Sequence, residues 1–161
     1  MRDKVVESSL ILLRNTQLEY SKKHEGQYCS SWTELIAFAK SARLPRVTKD
    51  MAKNTIDTTW VDLADSLYPH HFNIDSIKYV PYGRGVTFEI TSKTTDVSKE
   101  VKIHLLQIQT PYNVYLLGLD REKINELEGF QISKSRYPGL RIGDLEKPNG
   151  LAGNWESNNK Q

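Results

Sequence analysis

Apolar positions in the first part of the chain recur with the period of an α-helix. Between Asp3 and His24 one stripe steps by three or four residues, and its members are Val6, Leu10, Leu13, Gln17 and Tyr20. This spacing predicts an amphipathic helix of about 20 residues and about 30 Å. Gly26 is expected to end the helix, because glycine adopts the left-handed conformation of a helix C-terminus at little cost.

The next elements are predicted to be helical as well. Ser31 and Glu34 have the spacing of a capping box, so a second helix should begin there and stop before Pro45. Residues 47–55 are polar and irregular, which indicates an exposed loop. A third, shorter helix is predicted from Thr58 to Leu67, because apolar residues in this stretch fall on one side of a helix.

In the second half the pattern changes to period two, which indicates β-strands. Strands are predicted at 77–80, 86–91 and 101–105, with a turn at 83–85 and a polar hairpin loop at 93–99. After Leu105 the alternation slips by one position, which predicts either a β-bulge or burial on both faces of the strand.

The C-terminal third is predicted to add one helix and one extended segment. Asp120 is placed to cap a short helix that Gly129 closes, and residues 137–145 form the extended segment. Helices followed by antiparallel strands with short turns indicate an α+β fold. In this fold a long N-terminal helix and short helices pack on an antiparallel β-sheet.

Length, charge and cysteine content narrow the classes of function. A chain of 161 residues favours one domain, expected over 1–156. Within it we expect a stem helix at 1–25, a helical region at 26–68 and a strand-rich region at 77–145. A flexible tail is expected at 157–161. The net charge of +2 is too balanced for a dedicated nucleic-acid-binding protein. No apolar run reaches the length of about 18 residues that a membrane-spanning helix needs. A single cysteine, Cys29, excludes an internal disulfide, and a small residue packed in a turn is preferred for it over a reactive thiol.

Catalytic motifs are scarce in this sequence. The adjacent His70 and His71 could share a metal ion with Asp62, Asp65 or Asp75, which would make a small metal-dependent hydrolase. The histidine pair lacks the i, i+4 spacing of a helical zinc motif, so a solvated pair beyond a helix end is preferred. The chain contains neither a serine-nucleophile elbow nor a glycine-rich phosphate loop. We therefore assign no catalytic, cofactor-binding or metal-binding residue.

Tyrosines of the strand-rich half are the candidate contact residues. If they are exposed, they could stack on sugars or anchor a protein partner, whereas buried tyrosines would fill the core between helices and sheet. The candidates are Tyr79, Tyr82, Tyr112, Tyr115 and Tyr137.

Two patterns resemble known proteins. Residues 13–20, followed by the segment HEGQY at 24–28, are similar to the end of the long helix of type II secretion pseudopilins, where that helix enters a globular head. The whole chain also looks like a family of uncharacterised envelope proteins of Gram-negative bacteria. The segments that carry the second resemblance are 2–5, 26–28, 32–38, 65–67, 79–81, 137–143 and 152–156.

The resemblance implies a pseudopilin-like domain in the periplasm or at the outer face of the inner membrane, tethered by a transmembrane helix that would precede Met1. Such a protein is not an enzyme, needs no cofactor, and acts through contact with an envelope protein or with a second copy of itself. Two alternatives stay open, namely a glycan- or cell-wall-binding module that uses the tyrosines and the metal-dependent hydrolase. If Met1 is the natural start, the expected location is the cytoplasm.

Overall fold

Helices and antiparallel strands both contribute to the fold of residues 1–156, which are the residues that the computed structural model describes. The elements in chain order are α1 Arg2–Lys23, α2 Trp32–Ser41, β1 Arg43–Asp50, β2 Thr55–Asp62, α3 Leu63–Leu67, β3 Glu89–Asp96, β4 Lys102–Pro111, α4 Tyr112–Tyr115, α5 Arg121–Ser133 and β5 Gly139–Gly143. One turn of 3₁₀ helix, Ile74–Ser76, lies between α3 and β3. The predicted α+β class is confirmed.

The helix α1 supplies one wall of the hydrophobic core. Its predicted stripe faces inward, since Val6, Leu10 and Leu13 are fully buried, and Thr16 and Gln17 continue the buried face. The helix contacts α2, α3 and β5. Because burial begins within the first two turns, the N-terminal half of α1 packs on the domain instead of projecting from it as a stem.

The strands β3, β4 and β5 form an antiparallel sheet in that order. One row of side chains crosses all three strands and belongs to the core, and it consists of Ile90, Ile108 and Ile142. The neighbouring row is polar and lies on the opposite face, because side chains alternate along a strand. Its members are Glu89, Gln109 and Arg141.

Residues 43–62 form a β-hairpin, so the predicted loop at 47–55 and the first half of the predicted third helix are wrong. The strands β1 and β2 pair without interruption from Arg43–Asp62 to Asp50–Thr55. The residues from Thr58 to Val61 are β-branched or aromatic, and such side chains prefer the strand over the helix. The predicted helical region at 26–68 therefore contains a two-stranded sheet, and only α3 remains of the third helix.

Strand boundaries in the second half also differ from the prediction. The segment 77–80 lies outside the sheet ladder, and a single bridge joins Tyr79 to Thr87. The predicted turn at 83–85 is confirmed, since the Val80 N–H donates to the Val86 carbonyl at 2.8 Å. Pairing with β4 starts only after this turn, so β3 begins at Glu89. The strand then continues through most of the segment 93–99, for which the sequence predicts a loop.

The phase slip after Leu105 reflects burial on both faces of β4. Leu105 and Leu106 are 4% and 1% exposed, and the pairing with β3 continues past them without a bulge. The slip therefore marks the place where the sheet is covered from both sides.

The N-terminal caps of the helices are predicted better than their C-terminal ends. The Ser31 side chain accepts from the Glu34 N–H at 3.4 Å, and the Asp120 side chain accepts from the Glu122 N–H at 3.0 Å. Gly129 does not close α5, which continues to Ser133. A glycine inside a helix costs only about 1 kcal/mol relative to alanine, so the helix tolerates it. The predicted tail at 157–161 lies outside the described residues.

Within residues 1–156, no helix has both the length and the apolar character needed to cross a bilayer.

Candidate interaction surfaces

The hairpin β1–β2, called the arm below, exposes an apolar face. Residues 45–49 and 51–60 are all exposed. Paired residues of a hairpin point to the same side, so the side chains of Pro45, Val47, Ile56 and Trp60 share one face, called the outer face, on which Lys49 and Thr58 also lie. The exposed fractions of Val47, Ile56 and Trp60 are 63%, 67% and 56%. The outer face is therefore an apolar surface that residues 1–156 leave uncovered.

The base of the arm is held to the domain. Leu44, on the face opposite the outer face, is half-buried against the core. The Lys23 ammonium donates to the Arg43 carbonyl at 2.6 Å, and the Leu63 N–H donates to the Ala42 carbonyl at 2.9 Å. These contacts fix where the arm leaves the domain, while the rest of it stays in solvent.

The two outer edges of the arm differ in chemistry. Within the described residues neither edge pairs with a further strand. The edge of β1 carries Pro45, which has no N–H to donate, and the basic residues Arg46 and Lys49. Prolines and charged side chains, especially lysine, blunt a strand edge against pairing. The strand β2 contains no proline, lysine or arginine, and its charged residues are two aspartates, so its edge is less blunted and is the more open of the two to another strand.

The five candidate tyrosines do not form one surface. Tyr79 and Tyr82 are 41% and 50% exposed, whereas Tyr112 and Tyr137 are half-buried. Tyr115 is fully buried, so its assignment as a direct contact residue is wrong. Tyrosine positions in the sequence do not reveal which side of the sheet or helix they occupy, and this decides their exposure.

Tyr115 instead ties α1 to α4. Its hydroxyl donates to the Asp3 carboxylate at 2.6 Å, while the Arg2 guanidinium donates to the Tyr115 carbonyl at 2.9 Å. Burial, followed by the nearby Asp3 carboxylate, raises the pKa of the Tyr115 hydroxyl far above its ordinary value of 10.0. The Arg2 guanidinium also lies 4.8 Å from the centre of the Tyr82 ring. These contacts thus hold the start of α1 against α4 and have a structural role.

Tyr137 belongs to the polar face of the sheet. The Arg141 guanidinium lies 4.5 Å from the centre of its ring and donates to the Gln109 side chain at 2.9 Å. Gln109 in turn donates to the Glu89 carboxylate at 2.8 Å. Burial is the main reason why the pKa of the Tyr137 hydroxyl is raised, and the Glu89 charge adds to it. These side chains bind one another across the three strands.

A cleft of about 400 Å³ opens beside the start of β5. Two aromatic rings, an amide and a guanidinium are among its lining groups, and they belong to Tyr112, Trp155, Gln131 and Arg136. The cleft lies between α4, the C-terminal end of α5 and the segment after β5. Among the predicted tyrosines, Tyr112 is the one that lines it.

The histidine pair is exposed and sits in an open depression. The rings of His70 and His71 lie side by side with centres 4.0 Å apart. Asp65 and Tyr68 also line this depression. No group of three or more histidine, cysteine, aspartate or glutamate side chains in residues 1–156 has the arrangement of a metal site. The geometry therefore offers no support for a hydrolase at this position.

Cys29 is 3% exposed and lies in the turn before α2. Its Sγ contacts the Ser31 carbonyl at 3.2 Å. Burial raises the pKa of the thiol, the Ser31 contact lowers it, and the nearby Glu34 carboxylate raises it further. A buried thiol with a raised pKa is a poor nucleophile at neutral pH.

Neither the outer face nor Trp155 is among the contact residues that the sequence predicts. The alternation of Ile56, Thr58 and Trp60 is the signal that could have revealed the outer face. Trp155 lies near the end of the chain in a stretch without periodicity, and no local pattern indicates its role.

Comparisons of the chain with protein-family models, with curated proteins and with solved structures gave no match. What these surfaces can bind therefore follows from the residues and their geometry alone.

Proposed function

We propose that the protein is a non-enzymatic interaction domain that binds another protein through the arm. The observation that carries this proposal is the outer face, where Val47, Ile56 and Trp60 are each more than half exposed on one side of the hairpin. Clustered exposed apolar side chains of this kind mark interaction sites on soluble proteins. Trp60 is the largest of these side chains, and tryptophan is a typical anchor residue of protein interfaces.

The energetics of the arm favour a covered state. A two-stranded hairpin without further packing is marginally stable in water. Covering the outer face removes apolar area from water and contributes about 25 cal/mol for each Å². A partner that lies against this face therefore stabilises both the complex and the arm itself.

The chemistry of the two edges favours an extended segment added beside β2. Main-chain hydrogen bonds to an open strand edge supply affinity, and side-chain contacts on one face supply specificity. Because Asp57 lies on the face opposite the outer face and β2 carries no basic residue, a partner segment with basic side chains on its polar face fits this edge best.

Two adjacent threonines allow a test with an internal control. Thr58 lies on the outer face, paired with Val47, and Thr59 lies on the opposite face, paired with Arg46. A photo-crosslinking amino acid, p-benzoyl-phenylalanine, is placed at either position in cells that produce the protein naturally. We expect a discrete crosslinked species from position 58 and little from position 59, as resolved on denaturing gels and identified by mass spectrometry.

A second substitution links the crosslink to the apolar surface. In the Thr58 crosslinking variant, Trp60→Ser should lower the yield of the species about 30-fold, since losing an anchor aromatic costs roughly 2 kcal/mol. Equal crosslinking from positions 58 and 59, or a yield that is indifferent to Trp60→Ser, would rule out the outer face as the contact surface.

The proposed setting is the cell envelope, with the domain tethered outside the inner membrane and the arm meeting another envelope protein. The resemblance of segments such as 137–143 and 152–156 to envelope proteins supports it. Fractionation of cells with an antibody to the protein tests this setting separately. Recovery of the natural protein in the cytosolic fraction would contradict the setting and leave the arm proposal intact.

A further inference from the structure

We propose that the cleft between Tyr112 and Trp155 binds a sugar that carries a carboxylate. This inference is independent of the arm, which lies on different elements. The volume of the cleft, about 400 Å³, is in the range of small-molecule sites. Its lining combines flat aromatic surface with a guanidinium and an amide, and these groups complement the C–H face, the carboxylate and the hydroxyls of such a sugar.

The aromatic part of the cleft is held in place before any ligand arrives. The Trp155 ring lies against Gly153, where an added Cβ would come within 2.6 Å of the ring. The Tyr112 ring packs edge to face on the buried Tyr115 ring, with ring centres 6.2 Å apart. Because a ligand does not need to order these rings, little binding free energy is lost to side-chain entropy.

The charge around the cleft favours an anion. Residues 134–141 carry three basic side chains, Lys134, Arg136 and Arg141, and no acidic one. Arg141 is engaged with Gln109, whereas the Arg136 guanidinium is exposed and has no hydrogen bond or ion pair within residues 1–156. An arginine in this state can bind a carboxylate with two parallel hydrogen bonds.

A peptide strand is a poor occupant of this cleft, because the neighbouring edge of β5 is already filled. The Asn154 side chain donates to the Gly139 carbonyl at 2.9 Å and accepts from the Arg141 N–H at 3.2 Å. The Gly143 N–H donates to the Ala152 carbonyl at 3.1 Å. With the main-chain groups of β5 paired, side chains supply the recognition, as is usual for a sugar.

The Trp155 indole N–H is a direct reporter of occupancy in a ¹⁵N NMR titration of the full chain. Glucuronate and glucose form a matched pair of probes, because they differ only in the carboxylate at C6. Each is added up to about 50 mM, since a site for one sugar ring binds in the millimolar range. The indole signal is assigned with Trp155→Phe, and the signals of Trp32 and Trp60, which lie outside the cleft, serve as controls.

We expect glucuronate to shift the Trp155 signal with saturation and glucose to shift it at least about tenfold less effectively. Arg136→Gln should remove the preference for glucuronate, whereas Arg121→Gln, at the other end of α5, should retain it. An equal response to both sugars, a preference that survives Arg136→Gln, or no saturable shift with either sugar would overturn the proposal. None of these results affects the crosslinking test of the arm.

Discussion

At the scale of single residues, Gln17 shows how a polar side chain belongs to the core. Its amide donates to the Cys29 carbonyl at 2.6 Å and accepts from the Cys29 N–H at 2.9 Å. The side chain therefore satisfies both main-chain groups of a buried turn, which would otherwise lack partners. The sequence places Gln17 correctly on the buried stripe of α1, but its partner lies twelve residues away in a turn that has no periodic pattern.

We expect Gln17→Leu to destabilise the protein by about 2–4 kcal/mol, although leucine is more apolar. The substitution leaves a buried N–H and a buried carbonyl unpaired, and each such group costs about 1–3 kcal/mol. The free energy of unfolding in urea measures the effect. Gln27→Leu, at an exposed position of the same turn, is the control and should change stability by less than about 0.5 kcal/mol. Similar stabilities of the two variants would contradict this role of Gln17.

Tyr115 and Trp155 show that the exposure of an aromatic ring depends on its neighbours in the fold and cannot be read from its position in the sequence. Both are aromatic residues in stretches without a regular pattern. Tyr115 is sealed between α1 and the sheet by its bond to Asp3, whereas Trp155 lies against Gly153 at the rim of a cleft. The exposure of each ring depends on long-range packing. The sequence therefore identifies the tyrosines as candidate contact residues but does not predict which of them are exposed and which are buried.

At the scale of elements, the segment after β5 is held to α1 by one ion pair. The Arg14 guanidinium donates to the Glu156 carboxylate at 2.9 Å, and the Gly153 N–H donates to the same carboxylate at 3.0 Å. Burial raises the pKa of Glu156, but the bonds from Gly153 and Arg14 outweigh it, and the pKa lies below its ordinary value of 4.5. This carboxylate thus helps to position Trp155 beside the cleft.

The lowered pKa of Glu156 fixes the sign of a pH effect. A carboxylate whose pKa is lowered by folding adds stability above its unfolded pKa, and this stability is lost as the pH falls through the folded value. We expect Glu156→Gln to cost about 0.5 kcal/mol at pH 7, because water screens this partly exposed pair. The difference between Glu156→Gln and the natural protein should begin to shrink as the pH falls to 4.5, the ordinary value, and should vanish only below the lowered pKa of folded Glu156. Urea unfolding at several pH values measures it, and a difference that grows in acid would contradict the assignment.

The element that the sequence predicts least well is the arm. Apolar residues at 56, 60, 63, 64 and 67 satisfy a helical period, while the stretch from Thr58 to Val61 prefers a strand. Periodicity alone cannot choose between the two when a strand is followed directly by a helix, as β2 is followed by α3. By contrast, α1 is long and strongly patterned and the sequence predicts it, whereas the strand predicted at 101–105 covers only the first part of β4.

At the scale of the whole molecule, the core and the arm are built from separate sets of residues, apart from Leu44 at the base of the arm. The core draws on α1, α2, the sheet and the segment around Leu151. From residue 45 to residue 60 the arm adds no buried side chain to it. This separation is compatible with the proposal that the outer face is a contact surface.

This separation predicts that the arm can be shortened without loss of the fold. Replacing residues 47–58 with Asn-Gly keeps the Arg46–Thr59 pair at the end of a hairpin and supplies the residues that a two-residue hairpin turn prefers. Because the removed residues are exposed, apart from the half-buried Asp50, we expect the free energy of unfolding to change by less than about 1 kcal/mol. Urea unfolding and the ¹⁵N NMR signals of the core measure this.

The same variant separates the two proposed surfaces in one molecule. It lacks the outer face, apart from Pro45 and Trp60, but retains the whole cleft beside β5. With p-benzoyl-phenylalanine placed at position 45, which leaves Trp60 in place, we expect the full-length protein to give the crosslinked partner and the shortened protein to lose it. The shortened protein should keep the response of the Trp155 indole to glucuronate. A shortened protein that fails to fold would show that the arm belongs to the folding unit, and its apolar face would then need no partner to explain it.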